Sequence, residues 1–135
     1  MIHQTLLSEQ QRIHYPARLF GLDFPLRLEP CVFDMASMLS ADYEGGLWHF
    51  YALGNGGFYM APNTPETFRL AAPNGFDGKL SAHAMGITAC LYAYSVLSMA
   101  AAEADFAQEC GQHYHLLRDF TRGHPEEGAI LAAID

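Results

Sequence analysis

Seven histidines, three cysteines and several close carboxylates are the side chains of this 135-residue sequence with the most obvious chemistry. Imidazole and thiolate hold zinc when they recur at tight ligand spacings. His113 and His115 stand two apart, so on a helix they point to different faces. His49 and His83 fall on separate elements, and His124 precedes Pro125 in a loop. Cys31, Cys90 and Cys110 form no Cys-x-x-Cys pair, and their odd number argues against a disulfide framework. The expectation is no metal, no cofactor and reduced thiols, buried and inert.

Nucleophilic catalysis finds no better support. The Gly-x-Ser-x-Gly elbow of serine hydrolases is absent. Asp42/Glu44 and Glu126/Glu127 sit beside the Gly45-Gly46 helix breaker and at a helix start, where solvation and the helix dipole account for them. Gly54-Asn55-Gly56-Gly57 resembles a phosphate cradle only in composition, because no Lys-Ser/Thr follows and the next residues read as a strand. Trp48, Phe50 and Tyr59 could stack on bases. No Lys or Arg lies between Pro30 and Thr67, however, so that platform lacks the cationic groove that accompanies stacking. No catalytic constellation emerges, and the protein is read as no enzyme.

Composition narrows the class further. Half the residues are hydrophobic and 16% are charged, which is a folding composition. A net charge of −8 argues against a basic nucleic-acid binder, whose affinity rests on neutralising phosphates. Nothing in the sequence divides residues 1–135, so one domain is expected. The first residues show no basic segment followed by an apolar one, so a cytoplasmic protein is expected. Between Lys79 and Glu103, 23 residues carry no charge, yet they include Ser81, His83, Thr88, Ser95 and Ser98. That run reads as a helix buried in a protein core, not as a membrane span.

These side chains must be held by a recognisable set of elements. A short helix is expected over Ser8 to His14, and another over 30–41 with Val32, Met35, Met38 and Leu39 on its apolar face. Leu47–Leu53 and Phe58–Pro62 alternate as strands around Asn55-Gly56, a preferred type I′ pair. A two-residue loop there would set Leu53 opposite Phe58, Tyr51 opposite Met60 and His49 opposite Pro62. Trp48, Phe50, Ala52, Tyr59 and Ala61 would then share the other face. Thr67–Ala71 and Lys79–Ser81 read as further strands. Helices are expected over 82–102, 104–122 and 125–133, the second with Phe106, Cys110, His113/Tyr114, Leu117 and Phe120 in one stripe. The sum is an α+β fold with one antiparallel sheet of three to four strands centred on hairpin 47–62.

The block Asp42-Tyr43-Glu44-Gly45-Gly46-Leu47-Trp48-His49-Phe50-Tyr51-Ala52-Leu53-Gly54-Asn55-Gly56-Gly57-Phe58-Tyr59-Met60-Ala61-Pro62 resembles the signature of the ArdB/KlcA antirestriction family. Arg18-Leu19-Phe20-Gly21, Ser81-Ala82 with Ala84 and Gly86-Ile87, Tyr114–Phe120, His124-Pro125-Glu126 and Ala133-Ile134-Asp135 extend the likeness over nearly the whole chain. Gly54 departs from it, since the family commonly has Ser there. The resemblance implies a small cytoplasmic protein of plasmids or other mobile elements that protects incoming DNA from type I restriction, without a catalytic site.

The expected partner is thus a type I restriction enzyme or an accessory factor of it, met by protein–protein contact, with no strong nucleic-acid binding and no membrane. Close DNA mimicry fits poorly. One acid per nine residues is about 13.5 Å of helix per charge, against about 1.7 Å of axis in duplex DNA. The candidate contact residues are Trp48, His49, Tyr51, Asn55 and Tyr59 of the hairpin block, with Arg118, Asp119 and Asp135 near the C-terminus. The alternative is a small enzyme in which His49, His83 or His115 stands beside a carboxylate in a pocket.

Overall fold

The computed structural model describes residues 1–100 and 103–135. Strand β1 (Gln4–Leu6) leads into α1 (Glu9–Phe20), a π-helical turn (Phe24–Leu28) and α2 (Glu29–Leu39). Four strands follow: β2 (Trp48–Leu53), β3 (Phe58–Pro62), β4 (Thr67–Ala71) and β5 (Asp77–Ser81). Helices α3 (Ala82–Ala100), α4 (Ala104–Thr121) and α5 (Glu127–Ile134) complete the fold. It is α+β, as expected. The last two residues of the helix predicted over 82–102 lie outside the described residues.

The single sheet anticipated from the sequence is two sheets. One has the order β1-β2-β3 and the other pairs β4 with β5, all antiparallel. The strand not foreseen is β1, three residues whose side chains are all exposed, so no hydrophobic alternation marks it. It is held through its backbone, with Gly54 N–H donating to His3 O at 2.8 Å and Leu7 N–H to Phe50 O at 2.9 Å.

The β2–β3 register also differs from the expectation, by one residue. Tyr51 faces Tyr59, Phe50 faces Met60 and Ala52 faces Phe58. The cause is the turn. Leu53 N–H donates to Gly57 O at 2.9 Å and Gly56 N–H to Leu53 O at 3.0 Å, so three residues, Gly54-Asn55-Gly56, form the loop. Only Gly56 needs positive φ, +91°, as in a type I turn closed by a glycine bulge. A one-residue slip exchanges the faces. Tyr51 and Tyr59 therefore lie together on one side, with Trp48, Phe50, Phe58 and Met60 on the other.

Both faces are filled. Phe24 packs edge-on against Phe50 and Phe58, at 5.5 and 5.7 Å between centroids. Trp48 lies between Phe33 and Tyr43, and its indole N–H donates to Tyr43 Oη at 3.0 Å. The outer edge of β3 is sealed by α3. Phe58 and Met60 turn their backbone groups outward there, and α3 meets them with side chains. Tyr94 Oη donates to Phe58 O at 2.8 Å, and Cys90 Sγ sits 3.5 Å from Met60 N. Pro62 ends the strand on this edge, where its missing N–H costs no ladder bond. Gly86 makes the approach possible, since a Cβ there would lie 2.4 Å from Met60 O and 2.6 Å from the Ala61 backbone.

Helix α3 is buried on nearly all sides through its first thirteen residues, which explains its uncharged sequence. Ser81 caps it, its Oγ accepting from Ala84 N–H at 3.1 Å. Helix α1 starts with a reciprocal box: Ser8 Oγ accepts from Gln11 N–H, and Gln11 Oε1 accepts from Ser8 N–H. It continues through Pro16 to Phe20, past the predicted end at His14. Helix α2 buries Val32, Ala36 and Leu39, while Met38 of the predicted face is exposed. The buried stripe of α4 runs Phe106, Cys110, His113, Leu117 and Thr121.

Candidate functional site

Tyr51 and Tyr59 stack with ring centroids 4.8 Å apart and planes 12° apart. Their position follows from the shifted register, which sets them directly opposite each other. Phe120 of α4 stacks on Tyr59 at 5.7 Å, and His83, in the first turn of α3, leans against Tyr51 at 4.9 Å. The phenols close a directed chain of hydrogen bonds. Tyr59 Oη donates to Gln4 Oε1, so it is free to accept from His83 Nδ1–H, 2.9 Å away. With its proton on Nδ1, His83 accepts at Nε2 from Tyr51 Oη, 3.3 Å away.

The electrostatics agree with neutral groups throughout. Burial pushes the Tyr59 phenol well above its ordinary value, and the neighbouring Tyr51 adds to this. Burial also raises Tyr51. The His83 imidazole is pushed down, first by burial and then by His124 and His49, with Glu126 opposing. The chain ends on the Gln4 amide, which neither gains nor loses a proton, so it fixes ring orientations and offers no proton sink.

Above this cluster lies an open cleft of about 500 Å³, lined by His3, Gln4, His83, Phe120, Arg122, His124 and neighbouring apolar groups. Its wall is set by the start of α5. Glu126 accepts from both the backbone N–H, at 2.9 Å, and the hydroxyl of Ser81. Glu126 N–H in turn donates to His124 Nδ1 at 3.0 Å. Ser81 Oγ is thus a helix cap and a carboxylate donor at once. Among the described residues, no three His, Cys, Asp or Glu side chains are grouped to hold a metal ion. Burial raises the Cys90 and Cys110 thiols to about 12, far from a reactive thiolate.

The residues singled out in the sequence separate into two sets. Trp48, Tyr51 and Tyr59 are not surface groups: they are 2%, 7% and 0% exposed. The sheet is covered on both faces, so strand residues of either parity are enclosed. Asn55 is half-buried and engaged through both ends of its amide, accepting from Gly57 N–H at 3.0 Å and donating to Leu116 O at 2.9 Å. His49 remains half-exposed beside Tyr51. Near the C-terminus, Arg118 pairs with Asp135, at 3.1 and 3.3 Å, instead of with its neighbour Asp119. Tyr114 Oη accepts from the same guanidinium at 3.2 Å. Asp119 and Asp135 are exposed. The structure does not bring the hairpin tyrosines to this ion pair as one surface.

Gln4, Arg122 and Phe120 were missing from the sequence-based set of site residues. Gln4 belongs to the unmarked strand β1, and Arg122 follows the last turn of α4. Neither carries a motif.

Residues 41–135 match the family model described as "Antirestriction protein". The chain belongs to the antirestriction protein family. Two Escherichia coli relatives, both "Antirestriction protein KlcA", are 41% and 42% identical over 97% of this chain and 93% and 92% of theirs. A solved structure from work on the KlcA and ArdB proteins superposes with a TM-score of 0.91 at 41% identity, covering 99% of this chain and 95% of that one. That work describes a novel fold and antirestriction activity against type I DNA restriction systems in vivo but not in vitro. The family match spans both hairpins and helices α3 to α5, so the tyrosine–histidine chain and the cleft lie mainly on antirestriction-family sequence.

Proposed function

We propose that this protein protects unmodified incoming DNA by inhibiting host type I restriction, and that it does so by protein contact without catalysis. The observation that carries this is the likeness over nearly the whole chain to a structure with antirestriction activity. Activity of the KlcA and ArdB proteins in vivo but not in vitro favours a contact that needs a further cellular component. The contact residues we assign are half-exposed His49 on β2 and, near the C-terminus, Arg118 with exposed Asp119 and Asp135. Trp48, Tyr51, Asn55 and Tyr59 are taken up by the fold itself. Direct DNA imitation is disfavoured by the sparse acids. No helix among the described residues is long and apolar enough to cross a membrane.

A second reading, a small enzyme, draws on the cleft lined by His83 and His124, whose wall holds Glu126. Against it stand the engaged carboxylate, the capped Ser81 and the closed hydrogen-bond chain.

The contact is tested by capture from cells that carry a type I enzyme, with the bound proteins identified by mass spectrometry. The expected result is a restriction subunit, or one accessory protein, lost on Asp119→Lys. Capture of neither from cells whose restriction is blocked would contradict a contact mechanism.

A further inference from the structure

The protein is acidic, with 15 Asp and Glu against 7 Lys and Arg. Its 500 Å³ cleft has one fixed side-chain charge on its lining, the guanidinium of Arg122. His3, His83, Arg122 and His124 line it, and no Asp or Glu does. The two carboxylates that follow Pro125 are hydrogen-bonded within the fold, although the charge of Glu126 still acts on His83 and His124. Glu126 holds Ser81, and Glu127 accepts from Gly123 N–H at 3.1 Å. Arg122 is exposed and makes no ion pair or hydrogen bond through its side chain among the described residues. His124 accepts at Nδ1 from Glu126 N–H, so the neutral ring carries its proton on Nε2 as a donor with no protein acceptor among those residues. The His3 ring is likewise unengaged there, although its backbone carbonyl holds β1 to Gly54.

The rest of the lining is mostly apolar, with Met1, Ile2 and Pro125 beside the Gln4 amide, and it includes two rings. Phe120 lies in the cleft beside His124, with centroids 6.2 Å apart. His83 presents a neutral ring whose two nitrogens are both occupied by the tyrosines. A cavity of this size suits a small molecule, since ligand pockets run from about 300 to 1,000 Å³. A guanidinium and two imidazoles are donors for an oxyanion, and aromatic rings next to them favour a flat, unsaturated body.

We propose that this cleft is a ligand site for a small anion with a planar aromatic body, Arg122 taking the anionic group and Phe120 with His83 taking the ring. The tyrosine–histidine chain gives the site a rigid floor, because it fixes the His83 ring and the Tyr59–Phe120 stack. The site is independent of the antirestriction reading. It stands or falls whatever the macromolecular partner is.

Nuclear magnetic resonance titration of the full chain with adenosine monophosphate, adenosine and inorganic phosphate separates the two halves of the claim. The monophosphate is expected to shift signals of His83, His124 and Phe120 saturably, and more tightly than adenosine or phosphate alone. Arg122→Gln, an exposed substitution, is expected to weaken the monophosphate roughly tenfold, the worth of one charged hydrogen bond, and to leave adenosine unchanged. No saturable shift up to about 10 mM, where a millimolar site fills, would overturn the proposal. So would adenosine or phosphate binding as tightly as the monophosphate, or an Arg122→Gln variant that binds it equally well.

Discussion

Gly54-Asn55-Gly56 and Pro73-Asn74-Gly75 close the two hairpins with the same hydrogen bonds. In the first, Gly56 N–H reaches Leu53 O and Leu53 N–H reaches Gly57 O; in the second, Gly75 N–H reaches Ala72 O and Ala72 N–H reaches Phe76 O. Gly56 and Gly75 have φ of +91° and +94°. Asn55 and Asn74 accept from the N–H two residues on, and each donates to a helix carbonyl, Leu116 O in α4 and Ala132 O in α5. What the turns carry differs. The strands of the first hairpin are enclosed on both faces and sealed along the β3 edge by α3. The second alternates: Phe68, Leu70 and Leu80 point inward, while Arg69 and Asp77 pair on the outer face at 2.9 Å. The same turn therefore sets register in both, and burial decides how much each hairpin contributes to stability.

Two glycines should show the largest contrast. Gly86→Ala forces a methyl into the Met60 and Ala61 backbone and is expected to cost about 3 kcal/mol. Gly78→Ala meets only the ring end of Phe76 at 2.9 Å, a side chain that can swing, and should cost roughly 0.5 kcal/mol. Urea unfolding of both variants measures the difference. Equal losses would mean that the first hairpin is not the tighter one.

The turn asparagines come next. Asn55→Ala leaves a half-buried N–H and a helix carbonyl unpaired and is expected to cost about 1.5 kcal/mol. Asn74→Ala removes the matching bonds at an exposed site, where water replaces them, at roughly 0.5 kcal/mol. Thermal melts that rank the two the other way would break the burial account.

The smallest effect is a pH dependence. Burial lowers the pKa of His83, of His124 and of His113, which is wedged against Phe20 at 4.7 Å; Glu109 opposes the shift of His113. An imidazole that resists protonation in the folded state binds fewer protons than the unfolded chain does. Its contribution is therefore complete above the ordinary value of 6.5 and is lost as pH falls through the depressed folded values. Melting temperature should hold steady from pH 8 to about 7 and decline below about 6.5. His83→Gln should flatten part of that decline.

Much of this was legible in the sequence, for reasons visible at particular residues. The uncharged run after Lys79 reads as a buried helix because no side of it offers a charge to water. The β4 strand and the stripe of α4 follow their alternation and three-four spacing. Strand β1 was not legible, since Gln4, Thr5 and Leu6 are exposed and its attachment is through the backbone. The register was missed because Asn-Gly serves both two- and three-residue loops, and only the hydrogen bonds of Leu53 distinguish them. That single residue set Tyr51 and Tyr59 opposite each other on one face. The cleft was illegible for a different reason: its lining comes from β1, the start of α3 and the loop after α4, and no local spacing reports that convergence.

The central claim, that this chain blocks type I restriction, is tested most directly by plating unmodified phage on a host with an active type I system. Expression of the protein is predicted to raise plating toward that of a host without the system. Equal plating with and without the protein would contradict the account.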